Sequence, residues 1–419
     1  MTALLVGCGG AREAGEQDRT PRPEVQEGLT LATPSPTVRS IQLFRSGDET
    51  QLPIVTIGSG VTLTLAFDVM EQRGRPLSVY FYHANRSWRR DLVPAEYLTS
   101  FQRDDLLDYT PSRGTDIRYV HYRYLFPNRN IDFEISGNFI IRVTEQGMEE
   151  DVLFERAFFV TEQATGLEIG VDNVMIAGQG YPSVVPLVRF TPPSNLQSNV
   201  YDFNVCFVRN GLFTESRCTD RPTLAQQPAL QYYLEPEEAF EPRPAEYFLD
   251  IGSLRVGSRI EQTDLTQSPF RLYLEPDYAR FPGSGLDPLL NGQAVIQAAV
   301  RDVPDPGEAG EYAQVRFSFV PLDEQPLRGD VVVAGSFNGW RVEPENRLTW
   351  VGARGRYEGD VLLKQGRYEY RYMLTDPAAR RALVGAAPRP ENMYNAFVYY
   401  NDIRINTDRL LVVNAILAR

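Results

Sequence analysis

From residue 38 onward, apolar and polar positions alternate in short runs. Val61, Leu63, Leu65, Phe67 and Val69 fall on one side of a period-two pattern, and Thr62, Thr64, Ala66 and Asp68 on the other. Such a run is a strand with one buried face. Arg118–Phe126, Asn138–Val143 and Val152–Val160 repeat the theme and close a first block. A second block offers Pro186–Phe190, Tyr201–Val208, Leu230–Leu234 and Arg271–Leu274; Gln293–Val300 fits a strand or a helix. A third offers Val315–Val320, Asp330–Ala334, Tyr357–Leu363, Gly366–Leu374 and Asn395–Ile405. Within it Tyr368, Tyr370 and Tyr372 should face a core or a partner, and Arg367, Glu369 and Arg371 water. Gly-, Pro- and Asn-rich turns separate the runs, the mark of β-sandwiches.

The expected fold is therefore all-β, with tandem immunoglobulin-like β-sandwich domains. Residues 38–162 form the first, 163–302 the middle one, 303–310 a linker, 311–405 the last, and 406–419 a tail of strand or helix. A length of 419 residues suits this division.

Composition narrows the chemistry. The net charge of −13 argues against nucleic acid as a partner, because phosphate binding needs a basic surface. Lys364 is the single lysine, and before Gln365-Gly366 it reads as a turn residue. The two histidines, His83 and His121, sit beside no nucleophile in any recognisable motif, and His121 reads as a hydrogen-bonded sheet residue. No catalytic residue, metal site or cofactor is expected.

Three cysteines bear on location. Leu5-Val-Gly-Cys8 resembles a bacterial lipobox, which implies lipidation at Cys8 and makes residues 1–8 the remnant of a signal. Residues 9–37 are poor in large apolar groups and read as a flexible tether. Together they imply a periplasmic protein anchored by lipid in the outer membrane. Cys206 and Cys218 flank the turn pair Asn210-Gly211, so they sit on the arms of a hairpin and can bridge in an oxidising compartment.

Several motifs in the first block occur in a telling order. They are Tyr80-Phe-Tyr-His-Ala-Asn-Arg-Ser-Trp88, Glu96-Tyr-Leu98, Tyr119-Val-His-Tyr122, Phe126-Pro-Asn128 and Ser136-Gly-Asn-Phe139. This series resembles the plug protein family of the type 9 secretion system. His83, Asn85 and Trp88 match the family's His-Cys-Asn-Ala-Asp-Trp-like run; Ala84, Arg86 and Ser87 depart from it, as does Phe139 from a Tyr. The resemblance implies a β-rich, non-catalytic periplasmic protein that seals the mouth of a large outer-membrane translocon barrel. It makes His83, Asn85 and Trp88 candidate partner-binding residues, beside a plain reading as a structural loop.

Val331–Trp340, Gly355-Arg-Tyr357 and Leu363–Tyr370 are similar to early-set immunoglobulin-like domains that bind glycogen. That likeness makes Trp340 and Arg371 candidate carbohydrate-binding residues. The second ring of the usual pair should fall near Ala378, where no Trp stands. A carbohydrate-binding lipoprotein is accordingly the alternative reading.

Overall fold

The computed structural model describes residues 28–178, 180–196, 199–226, 228–241, 246–257, 259–279, 289–299, 305–380 and 391–418. Cys8 and residues 9–27 of the expected tether lie outside them. The fold is all-β, built as β-sandwiches in tandem.

The first sandwich packs the sheet Val38–Arg45, Leu63–Val69, Val120–Phe126, Tyr109–Pro111 against a second sheet. The second runs Ile54–Thr56, Val152–Thr161, Gly137–Glu145, Leu77–Ala84, Arg103–Leu106. The predicted apolar face of Leu63–Val69 enters the core, where Phe67 stacks on Tyr122 at 5.0 Å and Phe81 meets Phe126 edge-on at 5.2 Å. Its polar face is also covered, and Asp68 is wholly buried.

The end of the expected tether is not free. Leu31 packs beside Tyr80 and Tyr82, Ala32 N–H donates to Glu155 at 2.9 Å, and Ser35 N–H donates to the Leu153 carbonyl at 2.8 Å. Residues 28–37 thus run as a strap across the outer face of the second sheet.

The last sandwich is inserted into the chain of the middle one. The middle one sets Leu167–Met175, Pro182–Phe190, Ala229–Tyr233 and Pro222–Gln226 against Arg217–Thr219, Phe203–Arg209, Asn392–Asp402 and Thr407–Ala418. The sequence expected Asn395–Ile405 in the last domain and a tail beyond it; both lie in the middle sandwich, as the hairpin Asn392–Ala418. Conversely, Tyr247–Asp250, Ile260–Asp264, Phe270–Leu274 and Val295–Ile296 were expected in the middle domain and pair in the last. A break at 303–310 therefore does not separate the two. The physical reason is visible in Asn392–Asp402. Tyr394, Ala396, Val398 and Tyr400 fill the middle core, while Phe397 and Tyr399 face the first sandwich. A strand apolar on both faces belongs between two layers, and local patterning does not say which two.

The last sandwich closes around Tyr368, Tyr370, Tyr372, Phe317 and Phe319, with the tyrosines inward as expected. Glu369 and Arg371 do not face water; each is 6% exposed, because the outer face of their strand is covered too. The expected linker holds the short helix Pro306–Ala309, capped by the Asp305 side chain.

Candidate interface

The residues singled out by the motif series gather at the joints between sandwiches. His83 is the penultimate residue of the strand Leu77–Ala84, opposite Phe139. Its ring fills the space where a side chain on Gly137 would stand, since a Cβ there would lie 2.4 Å from Nε2. Gly137 also has φ +154, which L side chains rarely adopt. His83 Nδ1 lies 2.7 Å from Asp91, whose other oxygen accepts from Thr407 of the middle sandwich.

Asn85 shapes the loop that follows. Its side-chain oxygen accepts from the Ser87 and Arg89 amides at 3.0 and 3.1 Å. Its carbonyl accepts from Asn138, which in turn accepts from the Tyr399 hydroxyl at 2.7 Å. Arg86, a departure from the family's run, reaches Asp408 at 2.9 Å with its guanidinium and 3.1 Å with its backbone N–H. Trp88, at φ +64, meets Phe159 edge-on at 5.5 Å within a cluster that includes Phe397, Tyr399 and Leu410. Ser136 donates to Glu162 at 2.7 Å and accepts from Leu410 N–H at 3.0 Å; Arg409 holds Glu162 at 2.8 Å. His83, Asn85 and Trp88 thus join the first sandwich to the middle one, which is the structural-loop role rather than an outward display.

A second joint holds the first sandwich to the last. Asp68 accepts from His121 Nδ1 at 2.7 Å, from the Tyr312 hydroxyl at 2.7 Å and from Lys364 Nζ at 2.6 Å. Lys364 also donates to the Gly307 carbonyl at 2.5 Å and lies 4.1 Å above the Tyr119 ring. The Tyr119 hydroxyl donates to the Gly310 carbonyl at 2.9 Å. Burial by itself raises the Asp68 carboxyl, but Lys364 and His121 hold it below the ordinary carboxylate range. Burial pulls the Lys364 ammonium down, and it raises the Tyr119 and Tyr312 phenols. Lys364 is therefore no turn residue but the centre of a buried, hydrogen-bonded charge cluster.

The glucan-binding candidates lie where the last sandwich meets the middle one. The Trp340 indole donates to the Gly292 carbonyl at 3.0 Å, and the Arg371 guanidinium sits 5.2 Å from its ring centroid. Arg371 pairs with Glu215 of the middle sandwich at 2.6 Å. The two residues are brought together, but against one another. Cys206 and Cys218 face each other across paired strands and are joined by a disulfide with Cα atoms 4.0 Å apart.

Away from the joints, the first sandwich exposes an apolar rim that the motifs did not predict. Phe101 is 68% exposed and Leu107 64% exposed, on either side of the edge strand Arg103–Leu106. Leu125, also exposed, stands on Val120–Phe126 of the other sheet. Asp104 fastens this rim by accepting from Tyr124 at 2.8 Å and Asn130 at 2.9 Å, while Phe101 N–H reaches the Asn130 carbonyl. Large apolar groups flanking an unpaired strand edge are the usual makings of a contact surface. The period-two pattern could not find them, because both Phe101 and Leu107 lie just outside the strand.

Comparisons with known proteins agree with this architecture. Residues 38–162 match a family model described as the type 9 secretion system plug protein 1st domain. A hypothetical protein from Parabacteroides merdae ATCC 43184, known from its crystal structure, superposes with a TM-score of 0.82 at 22% identity. The match covers 93% of this chain and 100% of that one, and it shows a shared fold. Among curated proteins there is no significant match.

Proposed function

We propose that this chain, a member of the type 9 secretion system plug family through its first domain, is a non-catalytic stopper. It docks on the periplasmic mouth of the large outer-membrane translocon barrel and seals it. The observation that carries this reading is the coincidence of the family's motif residues with the interdomain joints. His83, Asn85, Trp88, Ser136 and Asn138 tie the first sandwich to the middle one, and Tyr119 ties it to the last, while His121 holds the Asp68 that Tyr312 and Lys364 of the last sandwich reach. A stopper must resist deformation under a load, and buried, hydrogen-bonded joints favour one fixed arrangement of its parts.

In this reading the rim of Phe101, Leu107 and Leu125 forms the docking surface. Lipidation at Cys8 would anchor the protein to the outer membrane in the periplasm, and anchoring raises the local concentration so that a modest interface suffices. The carbohydrate alternative loses support because the Trp340 ring is engaged by Arg371 and Gly292.

The test is affinity recovery of tagged protein from detergent-solubilised outer membranes, with mass identification of partners. A stoichiometric very large barrel is expected, together with its loss for Phe101→Asp and Leu107→Asp proteins that keep the wild-type melting temperature. Recovery of no barrel would overturn the reading.

A further inference from the structure

The first and middle sandwiches leave a crevice of about 450 Å³ between them, independent of the rim assigned to docking. Its lining is distinctive in a chain of charge −13: Arg45 is its charged residue among those described, and no carboxylate lines it. Side-chain amides dominate the polar part, from Gln51, Gln163, Asn291, Asn395 and Asn414. Leu52, Ile54, Val61 and Val413 supply an aliphatic part, and among the described residues no aromatic ring contributes.

Two of these amides have unused hydrogen-bonding capacity. Asn395 is 4% exposed, and its Nδ2 has no partner among the described residues. Asn291 Nδ2 donates to the Thr50 carbonyl at 3.0 Å, which leaves its Oδ1 as an acceptor without a partner among the described residues. A buried amide left unpaired costs free energy unless something satisfies it. The crevice is also bordered by Ile54–Thr56 and by Val413–Ala415, which belong to the terminal strands of their respective sheets.

We propose that this crevice binds an extended peptide segment carrying a carboxylate at the Arg45 end. A peptide main chain offers both donors and acceptors, which suits a lining of side-chain amides, two of them with an unpaired polar atom. Aliphatic side chains alternating along the segment fit the apolar part, and terminal strands favour main-chain pairing. The carboxylate meets the single cation. Sugar is the poorer fit, since no ring is present to stack on it.

The probe is a displayed library of short random peptides, selected on the full chain and followed by fluorescence anisotropy with the enriched sequence. Binding is expected to weaken about tenfold for Asn395→Leu and for Arg45→Ala, the loss of a single good hydrogen bond or ion pair. Arg45 is exposed, so its variant tests the site even where Asn395→Leu disturbs folding. Loss of binding on amidating the peptide's C-terminus places the carboxylate at the chain end. Retention places it on an acidic side chain; both outcomes support the site. The proposal is overturned if no peptide is enriched, or if enriched peptides bind Arg45→Ala as tightly as wild type. Protection of Val413–Ala415 amides from hydrogen exchange by maltoheptaose and by no peptide overturns it too.

Discussion

Lys364 and Asp68 are 296 residues apart in sequence and meet at 2.6 Å where solvent reaches neither. One belongs to the last sandwich and the other to the first. Every other cation in the chain apart from the histidines is an arginine, and a guanidinium is broader and flatter than an ammonium. The slot between the Asp68 carboxylate, the Gly307 carbonyl and the Tyr119 ring suits the compact ammonium.

Lys364→Met should destabilise the protein by about 3 kcal/mol, because it leaves a buried carboxylate short of its counter-charge. Adding Asp68→Asn should return part of that loss. Urea unfolding of the single and double variants measures both. A loss below about 1 kcal/mol for Lys364→Met would mean the pair does not hold the joint.

Gly137→Ala should destabilise by about 2 kcal/mol, through a backbone conformation foreign to alanine and a collision with His83. The collision is separable from the backbone effect. In a His83→Ala background, the same change should cost less. Equal costs in the two backgrounds would remove the imidazole from the explanation.

Replacing Cys206 and Cys218 together by alanine should lower stability by about 3 kcal/mol, the chain-entropy value for a separation of 12 residues. Dithiothreitol should bring the wild-type protein to the same stability and leave the variant unchanged. A reductant effect of equal size on both would show that the bridge is not its target.

Asp402 accepts from Arg404 at 2.9 Å and from Arg409 at 3.0 Å, and these partners hold its carboxyl down at about 2. A folded-state value below the unfolded one stabilises the protein above the ordinary carboxylate range. That contribution fades as pH falls from about 4 toward 2. Asp402→Asn should therefore flatten the fall in stability across this window and leave the slope near neutrality unchanged. Unfolding free energies measured from pH 2 to pH 6 for both proteins test this; parallel curves would refute it.

Strand positions were largely legible from alternation, as in Leu63–Val69 and the inward tyrosines of Gly366–Leu374. Assignment of strands to sheets was not. Asn392–Asp402 is apolar on both faces, which announces burial but not the neighbours that provide it. The polar faces misled for a related reason. Asp68, Glu369 and Arg371 alternate with apolar residues as solvent-facing groups do, yet each is buried: Asp68 and Arg371 find partners in a neighbouring sandwich, and Glu369 in the Leu290 and Gly292 amides of a loop of its own sandwich. The motif run found His83, Asn85 and Trp88, but motif spacing carries no information on whether a loop faces a partner molecule or another part of its own chain. Lys364 did carry a signal in being the chain's single lysine; its partner, in another sandwich, left none.

The hairpin Asn392–Ala418 also sets an order on the making of the protein. During synthesis the ribosome must finish the last sandwich before the strands that complete the middle one emerge. Until then Phe203–Arg209 has an unpaired edge that invites wrong partners. A chain cut anywhere within Tyr312–Leu374 forfeits two sandwiches rather than one. The insertion thus makes closure of the middle sheet wait on translation through Ala418.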